Sequence, residues 1–316
     1  MSKKAFSDLN VVCLAGGVGG AKLADGLTHL IPPERLTIVV NTGDDFSHWG
    51  LTICPDIDTV LYTLAGVSNL ETGWGRAGES WRVLAEVAQL GGPDWFRLGD
   101  LDLALHVTRS HLLAEGVSLT AVTRHLCQQL NIQARVLPMS DQSAPTMIET
   151  EAGLLPFQTW FVKERWQPVV EQIHLPQDVR ATPQLLHALE TADLILIAPS
   201  NPFVSIDPIL NVYPIREMVA DLPQAVIAVS PIIGGKAVKG PAAKLMQERG
   251  LPVTAQAVAD YYGELIDGFV YDEQDPPQSV TGDGLHTLRL DSMMHNAADR
   301  RRVAEAVLTF ARSVIE

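Results

Sequence analysis

Residues 9–15, Leu-Asn-Val-Val-Cys-Leu-Ala, form a near-continuous apolar run that stops on glycine, and Gly16-Gly17-Val18-Gly19-Gly20-Ala21-Lys22 follows at once. A strand apolar on both faces has to be covered on both faces, which is the condition of a parallel sheet flanked by helices. Glycines at the strand's end let the backbone approach a ligand closely. A helix starting there offers free N–H groups and a partial positive charge to a phosphate. The other reading is a tight turn with no ligand. The run fits neither G-x-G-x-x-G nor the P-loop, since Ala21 stands where the P-loop has its second glycine and Leu23 where it has a hydroxyl.

Three more apolar runs, 36–41, 193–198 and 225–230, are each followed by turn-rich sequence and a helical pattern. The expected fold is therefore α/β, a doubly wound, mainly parallel, Rossmann-like sheet with its ligand beyond the carboxyl ends of the strands. Residues 1–66 and 181–316 read as the nucleotide-binding core. Residues 67–180 read as an inserted subdomain over the site. Within it the pattern predicts helices at 79–90, 102–115 and 119–130, the last capped by Ser118, and an antiparallel pair of strands at 146–150 and 156–162. A closing helix is expected over 296–315, with Val303, Val307, Phe310 and Val314 inward.

Composition narrows the function. With 47% hydrophobic residues in 316, the chain can bury a sizeable core. Its 23 basic and 37 acidic residues leave a net charge of −14, a field that repels nucleic acid and anionic membranes. Three scattered cysteines without a C-x-x-C argue against a disulfide framework or a thiolate zinc site and point to a reducing cytoplasm. No signal-peptide pattern and no apolar run of ~20 residues is present, so a soluble protein is expected.

Carboxylates crowd the end of the second strand: Asn41-Thr-Gly-Asp44-Asp45, then Cys54-Pro-Asp56-Ile-Asp58-Thr59. Four acids beside a phosphate site repel one another unless a hard cation lies among them, and Mg²⁺ takes one or two carboxylates plus phosphate oxygens. Asp56 and Asp58 have a second reading as caps of the following helix. Residues 95–109 place Arg97, Asp100, Asp102, His106 and Arg109 around a glycine turn and a helix start, with the last three on one helix face. Arg97 and Arg109 are either anion binders or members of surface ion pairs. His111 and His125 read as solvated or core-edge residues. Ala198-Pro-Ser200-Asn201-Pro202 and Ser230-Pro-Ile-Ile-Gly234-Gly-Lys236, with Lys239 nearby, suit a nucleotide; alternatively their prolines only end strands.

Together with Gly99-Asp100-x-Asp102-x-Ala104-x-His106 and Leu137-Pro-Met-Ser140-Asp141, these segments resemble, in order over nearly the whole chain, the 2-phospho-L-lactate transferase family. The resemblance implies a step of coenzyme F-420 synthesis. A phospho-acid carried on guanosine diphosphate moves to the ribityl hydroxyl of the deazaflavin Fo, releasing GMP. It further implies Mg²⁺ on Asp44 and Asp58 with Asp45 and Asp56 adjacent, catalysis by Asp44 and Asp58, and Fo contacts at Asp58, Arg97 and Asp100. Nucleotide contacts fall on Gly17, Gly19, Gly20, Lys22, Ser200, Asn201, Ser230 and Gly234, and the assembly implied is a homodimer. Leu101 and Leu105 replace an arginine and a threonine common in the family's stretch, which leaves the acid open among 2-phospho-L-lactate, phosphoenolpyruvate and 3-phosphoglycerate. A non-catalytic nucleotide-sugar-binding regulator of the gluconeogenesis-factor type shares the fold. Its Ser-Gly-Arg cluster after the second strand is replaced here by Asp44-Asp45-Phe46-Ser47-His48-Trp49-Gly50. A nicotinamide dehydrogenase fits less well, lacking G-x-G-x-x-G.

Overall fold

The computed structural model describes residues 6–69 and 73–316. Seven parallel strands form one sheet: β1 (Val11–Ala15), β2 (Leu36–Val40), β3 (Arg135–Pro138), β4 (Leu194–Ile197), β5 (Ala225–Val229), β6 (Gly268–Asp272) and β7 (His286–Leu290). Their order is β7-β6-β5-β4-β1-β2-β3, so the doubly wound α/β sheet is as expected. Alternate residues of one strand feed two cores. Val11, Cys13 and Ala15 pack with α1 (Gly17–Thr28), α2 (Pro55–Leu64) and the helix Ala297–Ile315; Val12 and Leu14 pack on the other face, with helices Pro183–Glu190 and Ala255–Tyr262. Burying a Val or Leu side chain contributes about 1.5–3 kcal/mol, which is why the unbroken runs become central strands.

Register then places the site. Ala15 lies opposite Val40, and Leu14 opposite Ile197, so β1, β2 and β4 end level with one another. The chain leaves β1 for β2 on one side and returns to β4 on the other, which opens a crevice beyond β1. Close approach of α1 to the helix Ala297–Ile315 completes the wall behind it: a Cβ on Gly26 would lie 2.1 Å from the Arg300 carbonyl oxygen, and Arg300 pairs with buried Asp25 at 3.2 Å.

Several expectations change. β6 and β7 extend the sheet beyond the four strands read from sequence, and β3, drawn from the segment read as an insertion, pairs with β2 at its far edge. The hairpin in that segment joins Met147–Thr150 to Gly153–Pro156, not to 156–162; Gly153 at φ +109° and the Thr150 hydroxyl donating to its carbonyl at 3.0 Å close the turn early. Residues Thr159–Lys163 instead make a wide helical turn that buries Trp160. The helices α3 (Arg82–Gln89), α4 (Asp100–Ala114) and α5 (Leu119–Gln129) match the pattern within a few residues. Ser118 caps α5 by accepting from the Ala121 N–H at 3.3 Å. α3 starts three residues late because Glu79 turns away to accept the Leu101 and Asp102 N–H groups, each at 2.7 Å, at the start of α4. Among the described residues no helix is long and apolar enough to cross a membrane.

Candidate active site

A cavity of about 600 Å³ opens where β1, β2, β4 and β5 end, and α2, α4 and the turn after Gly153–Pro156 close it. Its floor is the glycine turn. Gly17 takes φ +61°, a left-handed conformation that disfavours a side chain, and a Cβ on Gly19 would meet the Pro199 carbonyl oxygen at 2.2 Å. The turn is braced from β4: the Ser200 hydroxyl donates to the Gly16 carbonyl at 2.8 Å and accepts the Gly16 N–H at 3.1 Å. From α2, Asp56 Oδ1 accepts the Gly17 N–H at 2.8 Å. The N–H groups that follow in the first turn of α1 have no helical acceptor of their own.

The acids sort into two arrangements. Asn41, the residue after β2, donates one amide nitrogen to both Asp44 Oδ1 and Asp56 Oδ2, each at 2.9 Å, and Gln158 approaches Asp44 Oδ2 at 3.5 Å. Burial, and then the Asp56 charge, hold the Asp44 carboxyl well above the usual range; burial pushes Asp56 up to about 6. Asp58 faces elsewhere: Arg109 of α4 binds it with both guanidinium nitrogens, one at 3.1 Å. Neither Asp56 nor Asp58 caps α2, so the capping reading is set aside.

Asp44 and Asp58 line the cavity. Asp45 is turned toward the Cys54 thiol, away from the lining, and its pKa is raised by burial. Among the described residues no three His, Cys, Asp or Glu side chains form a ready metal cluster. The Asp44–Asp56 pair nevertheless fits a divalent cation that completes its shell with phosphate oxygens: both carboxylates are buried, both resist ionising, and one neutral amide serves the two.

Of the residues expected at the nucleotide, Gly17, Gly19, Lys22, Ser200, Asn201 and Ser230 line the cavity. Gly20 sits behind it, where a Cβ would meet Ser200 Oγ at 2.7 Å, and Gly234 belongs to the turn between Ile232–Ile233 and Lys236–Ala237, facing Gln274. The Ser200 hydroxyl is taken up by the glycine turn and the Ser230 hydroxyl by its own, bonding the Ile232 carbonyl and N–H at 2.9 and 3.1 Å. Asn201 is different. Its Oδ1 caps the Phe203 N–H at 3.0 Å, while its buried Nδ2 has no partner among the described residues, a donor that a ligand oxygen would satisfy. Lys22 donates to the Met294 carbonyl at 2.7 Å; burial, then the charges of Arg300 and Lys239, lower its pKa.

The opposite wall is aromatic: Trp74, Trp95, Phe96, Phe157 and Phe161, the last two stacked at 5.4 Å and 13°. Arg97 lines this wall with its guanidinium 4.6 Å from the Trp81 ring centre. Asp100 is not in the lining; it accepts the Val83 N–H at 3.2 Å and the Ser80 hydroxyl at 2.5 Å, capping α3. Asp102, His106 and Arg109 do share a helix face, His106 lying 3.2 Å from each of the other two, and Arg109 is no surface residue: it is 1% exposed and its ion pair, with Asp58, is buried. His111 is exposed beside Glu115.

Comparison with known proteins decides the family. The model of the 2-phospho-L-lactate transferase CofD matches residues 11–309. A phosphoenolpyruvate transferase of Kitasatospora aureofaciens is 41% identical, covering 97% of this chain and 99% of its own. A 2-phospho-L-lactate transferase of Methanosarcina mazei is 37% identical over 94% and 99%. The chain belongs to the CofD family. As a CofD protein it is a transferase of phosphate groups. The fold is shared more widely: the crystal structure of a UPF0052-family protein from Bacillus halodurans superposes with a TM-score of 0.61 at 19% identity, covering 95% of this CofD chain and all of the other.

Asn41, Gln158 and the aromatic wall are site features that the sequence reading did not single out. Asn41 had a signal, an amide at a strand's carboxyl end; Gln158, between Phe157 and Phe161, had none.

Proposed function

We propose that this protein moves a phospho-acid, 2-phospho-L-lactate or phosphoenolpyruvate, from its guanosine diphosphate conjugate to the ribityl hydroxyl of the deazaflavin Fo, releasing GMP, with Mg²⁺ as cofactor. The observation that carries the reading is the buried Asp44–Asp56 pair beside the N-terminus of α1. Acids kept this close to an anion-binding turn repel the anion unless a cation lies between them. The relatives' names supply the substrate class.

In the transfer, the acceptor oxygen bonds to the phosphorus that carries the acid, the bond from that phosphorus to the GMP oxygen breaks, and the hydroxyl proton passes to a carboxylate of the site. Such a step depends on positioning and charge more than on covalent chemistry. Asp44 and Asp56, the pair served by the Asn41 amide, are the residues that would hold Mg²⁺, which leaves Asp58 to the acceptor. Bound there, the ion would neutralise charge on the diphosphate. The glycine turn and Asn201 cradle phosphate oxygens, the aromatic wall takes the flat deazaflavin ring, and Asp58 orients the acceptor hydroxyl.

The test is a panel of guanosine diphosphate conjugates of phospholactate, phosphoenolpyruvate and phosphoglycerate with Fo and Mg²⁺, following GMP and the deazaflavin product by mass spectrometry. Turnover of one donor is expected. Binding of guanine nucleotides with no turnover of any would favour the regulatory reading instead.

A further inference from the structure

Asp58 is not held in the cavity by its own helix. Arg109 Nη1 donates to Asp58 Oδ2 at 3.1 Å and Nη2 to Oδ1, a bidentate fork reaching across 51 residues of sequence from α4 to α2. Arg109 is 1% exposed, in a residue class that is almost never fully buried unless paired. The same Nη1 lies 3.2 Å from His106 Nδ1. On the other side of the ring, His106 Nε2 lies 3.2 Å from Asp102 Oδ1. Tyr62, one turn beyond Asp58 on α2, donates to that same Asp102 oxygen at 2.5 Å. Two polar links therefore tie α2 to α4 behind Asp58.

Stability alone is a poor reason for this arrangement, since well-packed apolar side chains of similar volume often serve a buried ion pair's position as well or better. Exposure to the cavity separates the members. Asp58, Tyr62, Asp102 and His106 line it, whereas Arg109 does not. Of the cavity's acids, Asp58 is the one Arg109 grips.

We infer that Arg109 is a positioning residue that fixes the Asp58 carboxylate for the acceptor hydroxyl, acting through Asp58 and never on substrate. The inference rests on the transfer reading above. With both oxygens gripped in one plane, only their remaining lone pairs face the cavity, so the direction of any bond from the acceptor is set before it arrives. Lysine cannot reproduce this, because a single ammonium does not present a planar fork.

The experiment compares Arg109→Lys, Arg109→Met, Asp58→Asn and the Asp58→Asn/Arg109→Met double variant as full-length protein with Mg²⁺. It measures kcat, the KM of each substrate, and Fo affinity by quenching of deazaflavin fluorescence, with thermal melts to confirm folding. Expected is a fall in kcat of about 100-fold for Arg109→Met, the scale of a small misplacement of a reacting group, with donor KM within about threefold of wild type. Arg109→Lys, which keeps charge and most of the volume, remains low. Arg109→Met adds nothing to the Asp58→Asn loss in Fo affinity, since a residue acting through another has no effect once that one is gone. Multiplying losses in the double variant, or full recovery by lysine, overturns the clamp while leaving the transfer reading intact. If Arg109→Met does not fold, the lysine variant decides by the same kcat-against-KM split. Absence of wild-type turnover with every donor overturns both readings.

Discussion

Replacing Asn41 by leucine removes one amide of similar size and leaves both carboxylates that it serves in place. Asn41 Nδ2 donates to Asp44 and Asp56, each at 2.9 Å, and Oδ1 accepts the Gly43 N–H at 2.7 Å. Hydrogen bonds to charged groups contribute about 1.5–3 kcal/mol each and a neutral one about 1, so ~4–7 kcal/mol is lost while both acids are ionised. That is a large part of the roughly 5–15 kcal/mol that holds a domain folded. The loss depends on pH. Asp56 stands at about 6 against an ordinary value of 3.8, and a carboxyl raised on folding favours the fold below its unfolded value and disfavours it once pH rises through the folded one. Near pH 8 the variant bears the whole penalty, whereas at about pH 5 a protonated carboxyl can donate to its neighbour and recovers ~2 kcal/mol or more, at about 1.4 kcal/mol per unit. Urea unfolding followed by tryptophan fluorescence in EDTA at both pH values measures the difference. A loss below about 1 kcal/mol, or the same loss at both, would refute the pairing of Asp44 with Asp56 through this amide.

Gly19→Ala places a Cβ 2.2 Å from the Pro199 carbonyl oxygen, a backbone atom that cannot turn aside, so guanosine diphosphate affinity by calorimetry should fall more than about tenfold, or 1.4 kcal/mol. Mg²⁺ at ~100 times its dissociation constant should stabilise the wild type by about 2.7 kcal/mol near pH 8, and by less in acid, where protons compete for Asp44 and Asp56; equal stabilisation at both pH values in thermal melts would place the ion elsewhere. Trp81→Ala removes the ring under Arg97 and should raise acceptor KM about two- to fivefold through a contact of about 0.5–1 kcal/mol, with Trp81→Phe recovering most of it; no change would show that the stack does not position Arg97.

What the sequence made legible was whatever a short window determines. β1, β2, β4 and β5 stand out because strands covered on both faces are uninterrupted apolar runs. β7, His-Thr-Leu-Arg-Leu, lies at one edge with only its alternate leucines half-buried, and β3 ends in Pro138, which belongs at the opposite edge for want of an N–H. Neither looks like a buried strand. The glycine turn and the acids were visible for the same local reason, but their partners were not. Arg109 had two readings from sequence and has a third in the fold, because its partner Asp58 lies on another helix. Ser200 and Ser230 attract attention as hydroxyls at strand ends, yet both are consumed by turns, and the donor left over is the amide of Asn201. Met293 and Met294 reach the cavity from the chain after β7 with no motif to announce them.

The contact of α1 with the helix Ala297–Ile315 bears on how this protein is made. Asp25 and Arg300 pair across 275 residues of sequence, and the Lys22 amine rests on the Met294 carbonyl. A chain synthesised from its amino end therefore leaves the face of α1 that carries Asp25 and Gly26 uncovered until Arg300 and Ala304 leave the ribosome. The helix α1 is among the first segments synthesised and among the last to be fully packed. A nascent chain stalled before residue 294 would present that face of α1 without its cover, and the Asp25–Arg300 pair forms only as the nearly complete polypeptide is released.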